Sequence, residues 1–355
     1  MIERADFQSR LIGWYLREGR DLPWRKTDNP YHIWICEIIL QQTRVNQGMP
    51  YYFRFIDRFP DVKSLAQATE DEVLAYWQGL GYYSRALNLL KAARQVVREY
   101  DAKLPADYNQ LLKIKGIGKY TAGAIASMAF NLPHAAIDGN VFRVLSRLFN
   151  DLTPIDRNNA YDYYEKILWQ IFDPTRPSLF NQAIIELGAL VCLPRNPQCS
   201  ACPVSHHCLA FKNSTQLILP VKNQMLQIKK RFFYYFVLFD NEYIVLRKRS
   251  DNDIWKKLYD FPLVEFPQQL ENPTEQLKNA DWPAPLLLTV RALVGQPVRH
   301  RLTHQELNIW FIRLKVKQLP PTLPPDCIKV PIENIGRWPV PKVIAHYLKK
   351  EFGIG

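Results

Sequence analysis

Over roughly the first 200 residues, apolar side chains recur at helical spacing, and after residue 230 they gather into β-branched and aromatic runs. Phe7, Leu11, Trp14 and Tyr15 share one face of a helix over 7–17. The same pattern predicts helices over Ile33–Gln42, 50–58, 64–68, 70–78, 84–100, Thr121–Phe130, Val141–Phe149, Tyr161–Phe172 and Asn181–Gly188, and no strand before residue 230. Turn-rich text punctuates them at Leu22-Pro23-Trp24-Arg25, Asp28-Asn29-Pro30-Tyr31, Phe59-Pro60-Asp61 and Gly79-Leu80-Gly81-Tyr82-Tyr83. Residues 212–231 read as a polar, basic linker. Strands are expected over Phe232–Phe239 and Tyr243–Arg247, around an Asp240-Asn241-Glu242 turn, and over Leu286–Val290 and Leu307–Val316. A last helix starts at Pro341 and carries Val343, Ile344, Tyr347, Leu348 and Phe352. The expected architecture is multidomain: an all-α core over 1–211, the linker, and an α+β domain over 232–355.

The stretch Leu111–Asn140 interrupts an apolar helical pattern with Gly116 and Gly118 and then resumes it. Glycine permits positive φ and close backbone approach, and the N–H groups of the following helix suit a phosphate. This reads as a helix-hairpin-helix clamp on a DNA backbone. Asp138 then opens another apolar helix in Ile137-Asp138-Gly139-Asn140-Val141. Glu37 is the one charge in its helix, and its neighbours a turn away are Ile33, Trp34, Leu40 and Gln41. Burial there would raise its pKa from about 4.3, as a general acid near neutral pH requires. A merely satisfied or half-exposed helical glutamate is the competing reading. Tyr82 and Tyr83 could wedge into a base stack or simply pack at their turn.

Charge sharpens this picture. Lys plus Arg exceeds Asp plus Glu by 46 − 34 = 12, with a pI near 9.3, which favours a polyanionic partner, nucleic acid above all. The length allows two or three domains. The N-terminus has no signal-peptide pattern, and no uncharged apolar run is long enough for a bilayer, so a cytosolic, nucleoid-associated protein is expected. Four of the six cysteines crowd into Cys192-x6-Cys199-x2-Cys202-x5-Cys208. Four thiolates in one compact loop fit an iron–sulfur cluster or a structural zinc. The single short Cys-x2-Cys pair favours iron–sulfur, with His206 and His207 as surface residues.

In order and spacing these motifs resemble the MutY-type adenine DNA glycosylases of the helix-hairpin-helix, endonuclease III-like superfamily. The likeness rests on Leu22-Pro23-Trp24-Arg25, Glu37 with Leu40-Gln41-Gln42-Thr43, Gly79-Leu80-Gly81-Tyr82-Tyr83-Ser84-Arg85-Ala86, the Gly116/Gly118 hairpin, Asp138-Gly139-Asn140-Val141, Phe180-Asn181-Gln182-Ala183 and the cysteine loop.

The resemblance implies a [4Fe–4S] cluster on Cys192, Cys199, Cys202 and Cys208, and a C-terminal Nudix-like domain that reads 8-oxoguanine opposite the target adenine. It implies that Glu37 protonates adenine N7 and that an ionised Asp138 stabilises the oxocarbenium-like sugar. Tyr120 and Asn140 would shape the sugar side of the pocket, and Trp24, Arg25, Gln182 and Glu186 the adenine side. DNA contacts would come from Gln41, Gln42, Tyr82, Gly116, Gly118, Lys119 and Thr121, with Gln41 and Tyr82 filling the gap in the duplex. Strand-cutting relatives carry a nucleophilic lysine where this chain has Tyr120; a phenol forms no imine, and Lys119 lies about 100° around the helix. A monomeric, monofunctional enzyme on duplex DNA with A:8-oxoguanine or A:G mispairs is therefore expected. Replication or mismatch-repair partners are left unspecified.

Two departures stand out. The family's Phe-Ser-His loop aligns with Leu302-Thr303-His304, which keeps a hydroxyl and an imidazole but loses a ring. Also, no Nudix-hydrolase acidic helix follows Trp255-x2-Leu258-Tyr259-x-Phe261-Pro262, so no nucleotide hydrolysis is expected. The rival readings are a strand-cutting glycosylase and a non-catalytic DNA-binding module.

Overall fold

The computed structural model describes residues 2–223, 228–277, 282–283 and 293–354. The chain packs as two units, residues 1–67 with 88–225, and residues 68–87 with 226–355. The helices in chain order are α1 (Arg4–Glu18), α2 (Pro30–Leu40), α3 (Val45–Arg58), α4 (Val62–Gln67), α5 (Glu70–Trp77), α6 (Ser84–Glu99), α7 (Tyr108–Leu111), α8 (Lys119–Phe130), α9 (Gly139–Leu148), α10 (Ala160–Leu168), α11 (Pro177–Leu190) and α12 (Leu209–Lys212). The segment 68–87, which the sequence pattern alone runs in with the helical region, packs with the C-terminal unit.

In the first unit α2 is apolar on every side, and eight of its eleven residues are buried, so it forms a central rod. It starts where Asn29 accepts hydrogen bonds from the Tyr31 and His32 N–H groups, with Pro30 at the first helical position. Helix α8 lies close against the chain ahead of α9: a Cβ at Gly123 would stand 1.9 Å from the Ala135 carbonyl oxygen. Helix α11 meets α9 equally closely, a Cβ at Gly188 falling 2.6 Å from Asn140 Cβ. Phe7 and Leu11 of α1 share a core with Val141 and Leu145 of α9 and with Phe180 and Ile184 of α11.

Several helix ends differ from the sequence pattern, each for a local reason. Helix α2 stops at Leu40 because Gln41 turns extended and Gln42 takes a left-handed φ of +58°. Helix α3 begins at Val45, so Pro50 is interior rather than first and forfeits one backbone hydrogen bond. Helix α10 ends at Leu168, short of the expected Phe172, and turns lead on to Pro174, where a helix would lose a donor. Helix α11 runs past both ends of Asn181–Gly188 because Pro177 is a favourable first residue.

The second unit is built on a sheet of β1 (Lys229–Phe239), β2 (Tyr243–Lys248), β3 (Tyr259–Asp260), β4 (Leu263–Phe266), β5 (Leu293–Val294), β6 (Val298–Arg301), β7 (Gln305–Lys315) and β8 (Cys327–Pro331), with helices α13 (Pro273–Gln276) and α14 (Lys342–Phe352). The order β3-β2-β1-β7-β5 forms the spine, with β4 on β1, β6 on β7 and β8 on β2. Only β1 and β7 run parallel, in register from Lys229↔Gln305 to Phe239↔Lys315; every other recorded pair is antiparallel. Strand β1 is buried from Phe233 onward because both faces are covered. Phe233, Tyr235 and Val237 pack with Val343, Ile344 and Leu348 of α14, while Tyr234, Phe236 and Leu238 pack with Leu270, Leu277 and Leu319. The expected strand over Leu286–Val290 lies outside the described residues.

Within this unit, Asp71 of α5 accepts from Lys248 Nζ at 3.1 Å and from the Tyr259 hydroxyl at 3.4 Å. Leu302-Thr303-His304 forms the turn between β6 and β7. Leu302 is half-buried against the sheet core, and Thr303 and His304 are exposed. The Thr303 hydroxyl hydrogen-bonds the Tyr82 hydroxyl. Tyr82 itself is held at a φ of +49° between Gly81, at +77°, and α6.

Candidate active site and cluster loop

A cavity of about 880 Å³ opens in the first unit and gathers residues from all along it: Trp24, Arg25, Glu37, Gln41, Gln42, Tyr120, Asp138, Asn140 and Gln182 line it together. The fold thus brings Glu37 and Asp138, about a hundred residues apart in sequence, into one wall.

Glu37 projects from the middle of α2 and is only 8% exposed. The Tyr120 hydroxyl donates to its Oε2 at 2.5 Å. Burial pushes the Glu37 carboxyl up to about 7, and the nearby Asp138 charge adds to this. The Tyr120 hydrogen bond and Arg25 oppose it without prevailing. Burial and the Glu37 and Asp138 charges likewise drive the Tyr120 phenol well above its ordinary range, so it stays a neutral donor.

Asp138 is the N-cap of α9. Its Oδ1 accepts from the Asn140 N–H at 2.9 Å and the Val141 N–H at 2.8 Å, and its Oδ2 from Asn140 Nδ2 at 2.7 Å. The sequence pattern expects a helix N-terminus to hold this carboxyl ionised. In the fold, burial raises its pKa, and these hydrogen bonds and Arg143 only partly counter that. The cap bonds favour the ionised form, while burial moves the carboxyl upward from its ordinary range.

Glu186, expected in the adenine pocket, is fully buried and does not itself line the cavity, although Arg20, Arg25 and Gln182 do. Arg20 reaches it through its backbone N–H, Nε and one terminal nitrogen at 2.6–2.9 Å, and Arg25 through both terminal nitrogens at 2.7 and 3.1 Å. Burial alone would raise this carboxyl; the two guanidiniums hold it down at about 2. Gln182 accepts from the Tyr15 hydroxyl at 2.8 Å and donates to Ser178 Oγ at 3.0 Å, which fixes its amide. Trp24 meets Tyr52 edge to face at 5.3 Å. Gln41 Nε2 lies 3.4 Å from the buried Thr121 hydroxyl.

Not every expected site residue lines the cavity. Gly116 sits at a φ of +80° in the turn before α8, where only glycine is at ease, and Gly118 caps that helix in extended backbone. Lys119 turns outward to pair with Asp162, whereas its neighbour Tyr120 points into the cavity. Tyr82, Leu302, Thr303 and His304 belong to the second unit.

Arg20 and Arg143 escape sequence reasoning. Arg143 bonds Asn140 Oδ1 at 2.8 Å, the Gly188 carbonyl at 2.8 Å and the Cys192 carbonyl at 2.7 Å, linking the Asp138 cap to the cysteine loop. Its spacing three residues after Asn140, one helical turn on, is the signal that could have found it. Arg20 carries no such signal; only the fold sets it beside Glu186.

Cys192, Cys199, Cys202 and Cys208 are all unpaired and line a small cavity of about 30 Å³ with Arg147 and Phe211. Among the described residues, no three of these sulfurs fall within 4.8 Å of one another. Four thiolates around one zinc, at about 2.3 Å each, would stand under 4 Å apart. The sulfurs thus stand wider apart than a single zinc would hold them, and Arg147 adds a donor 3.3 Å from Cys192 Sγ.

Residues 35–174 match the HhH-GPD superfamily of base excision DNA repair proteins, residues 192–208 the iron–sulfur binding domain of endonuclease III, and residues 234–350 a NUDIX domain. Fold and cavity therefore define a DNA-repair glycosylase of the helix-hairpin-helix class, with a [4Fe–4S] cluster on the four cysteines.

Within that class the chain belongs to the adenine DNA glycosylase family. It is 41% identical over 262 residues to the adenine DNA glycosylase of Buchnera aphidicola subsp. Baizongia pistaciae, covering 72% of this chain and 73% of that one. It is 42% identical over 227 residues to the adenine DNA glycosylase of Homo sapiens, covering 60% and 41%. A thermostable thymine-DNA glycosylase shares the fold at a TM-score of 0.55 and 27% identity, over 59% of this chain and 97% of that one. Endonuclease III in a non-covalent DNA complex matches at 0.52 over 61% and 100%; at 23% identity this shows the fold alone. No described helix is long and apolar enough to cross a membrane.

Proposed function

We propose that the protein excises adenine mispaired with 8-oxoguanine or guanine in duplex DNA, by hydrolysing the N-glycosidic bond and leaving the strand uncut. The observation that carries this reading is Glu37, a buried carboxyl poised near 7 beside a second carboxyl and a neutral phenol. A flipped adenine fits a cavity of this size, with Gln182, Arg25 and Trp24 along one side.

Glu37 gives its proton to adenine N7, so the base departs neutral when the C1′–N9 bond breaks. Asp138, across the sugar, carries the negative charge that the oxocarbenium-like centre attracts, and water then adds its hydroxyl to C1′ and gives its proton to the Glu37 carboxylate. Losing its proton leaves Glu37 anionic near Asp138, and the cationic sugar offsets the repulsion between the two carboxylates, which favours the transition state. Tyr120 offers no amine for a Schiff base, and Lys119 is engaged outside the cavity with Asp162. A cluster on the four cysteines would hold the loop's shape, and the loop backbone, through Arg143 and Asn140, orients Asp138.

The Gly116 turn and the first N–H groups of α8 suit a phosphate, and Tyr82 and Gln41 are the groups to fill the emptied duplex position. In this reading the first unit performs the chemistry and the Leu302-Thr303-His304 turn of the second reads the opposite base.

The test is a single-turnover assay on a duplex holding adenine opposite 8-oxoguanine. Adenine release with strand scission only after hot alkali is expected. Scission without alkali, or a covalent adduct trapped by borohydride, overturns the monofunctional reading. Tight binding with no adenine released overturns the glycosylase mechanism.

A further inference from the structure

His206 and His207, adjacent residues of the 3-10 turn between Cys202 and Cys208, aim both their Nε2 atoms at one oxygen of Asp6, in the first turn of α1. His207 Nε2 lies 2.8 Å and His206 Nε2 3.0 Å from Asp6 Oδ2. His206 is exposed, as expected of a surface residue, but the His207 side chain is only 10% exposed. Its ring is steadied edge to face by the fully buried Phe7 at 5.9 Å. The two imidazoles themselves stand 4.0 Å apart.

That single oxygen is over-subscribed. Arg10 Nε also reaches Oδ2, at 2.8 Å, so three donors converge on an atom with about two in-plane lone pairs. Two imidazoles and a carboxylate converging on one point are, in chemical type and number, the protein ligands of an open zinc site. The three ligand atoms already lie within 4.8 Å of one another. Around tetrahedral zinc, with bonds of about 2.0–2.2 Å, neighbouring ligand atoms stand about 3.3–3.5 Å apart. The present separations of 2.8 and 3.0 Å need open by only about half an ångström. Arg10, half-exposed and one turn along α1, is free to swing into solvent as an ion takes its place.

We propose that Asp6, His206 and His207 form a second metal site, separate from the cluster, that binds one zinc-class divalent ion with water completing its shell. The ion clasps the N-terminal helix to the cysteine loop, one residue from the Cys208 ligand. Both partners of this clasp lie in the first unit, far apart in sequence but joined through one carboxylate.

The test uses the full-length, tag-free protein with its cluster intact, treated with a chelator and then titrated with zinc chloride against a chromophoric competitor. Iron content and cluster absorbance are followed throughout. Wild type is expected to bind one zinc per chain, and Asp6→Asn and His206→Ala to bind it at least tenfold more weakly with iron unchanged. His206 is exposed, so His206→Ala leaves folding intact should Asp6→Asn perturb α1. Absence of saturable zinc binding, an unchanged affinity in either variant, or zinc uptake matched by loss of iron would each overturn the site.

Discussion

Two glutamates of the first unit are buried, one lining the cavity and one behind its arginines, and their pKa values move in opposite directions. Glu37 and Glu186 both lose their water, a change that by itself raises a carboxyl pKa. Glu37 receives one phenol hydroxyl and faces a second carboxyl, and it settles near 7. Glu186 receives five N–H donors from two arginines and settles near 2. Burial therefore does not decide the charge; the partner does. Glu37 keeps its proton up to about neutral pH, whereas Glu186 keeps its charge inside an ionic frame that fixes Arg20 and Arg25.

The largest way to break this contrast is Glu37→Gln, which keeps the shape and the acceptor for Tyr120 but removes the proton. The single-turnover rate on an A:8-oxoguanine duplex should fall by about 10²–10⁴-fold, with binding changed only a few-fold in a gel-shift titration. On the frame side, Glu186→Gln strips two guanidiniums of their counter-charge. Since Arg20 is one-third exposed, a loss of about 2–3 kcal/mol is expected in denaturant unfolding of the first unit. Arg143→Lys cannot reproduce a fork that bonds Asn140, Gly188 and Cys192 at once, so Asp138 loses its orientation. The rate should drop about tenfold to a hundredfold, measured by adenine release at saturating enzyme.

The protonation state can also be read directly. Because the folded carboxyl of Glu37 titrates near 7, the single-turnover rate should fall about tenfold per pH unit above that value. Linkage gives the matching stability effect: ionising Glu37 costs the folded state stability as pH rises from its ordinary value through 7. Glu37→Gln should therefore be more stable than wild type at pH 8, the gap closing as pH falls towards 4.5. The smallest effect belongs to the second unit. Leu302→Phe restores a ring at a half-buried position of the β6–β7 turn and should change the 8-oxoguanine over guanine rate ratio by about twofold, within the range of a surface change.

Much of this was legible in one dimension. Helix period marked α1, α2, α8 and α9; the Gly116/Gly118 break marked the hairpin; four cysteines in seventeen residues marked the cluster loop. Glu37 was exposed as a candidate because a lone charge amid Ile33, Trp34 and Leu40 has no solvent-facing side of its helix to occupy. These are local properties, set by spacing along a few turns of chain. What spacing could not carry was the balance of long-range terms: that burial moves the Asp138 carboxyl upward despite its cap, that Arg20 and Arg25 both close on Glu186 from about 160 residues away, and that His206 and His207 meet Asp6. Such pairs come together only when the helices pack, and their charges are settled only once water has been excluded, so tertiary structure alone decided them.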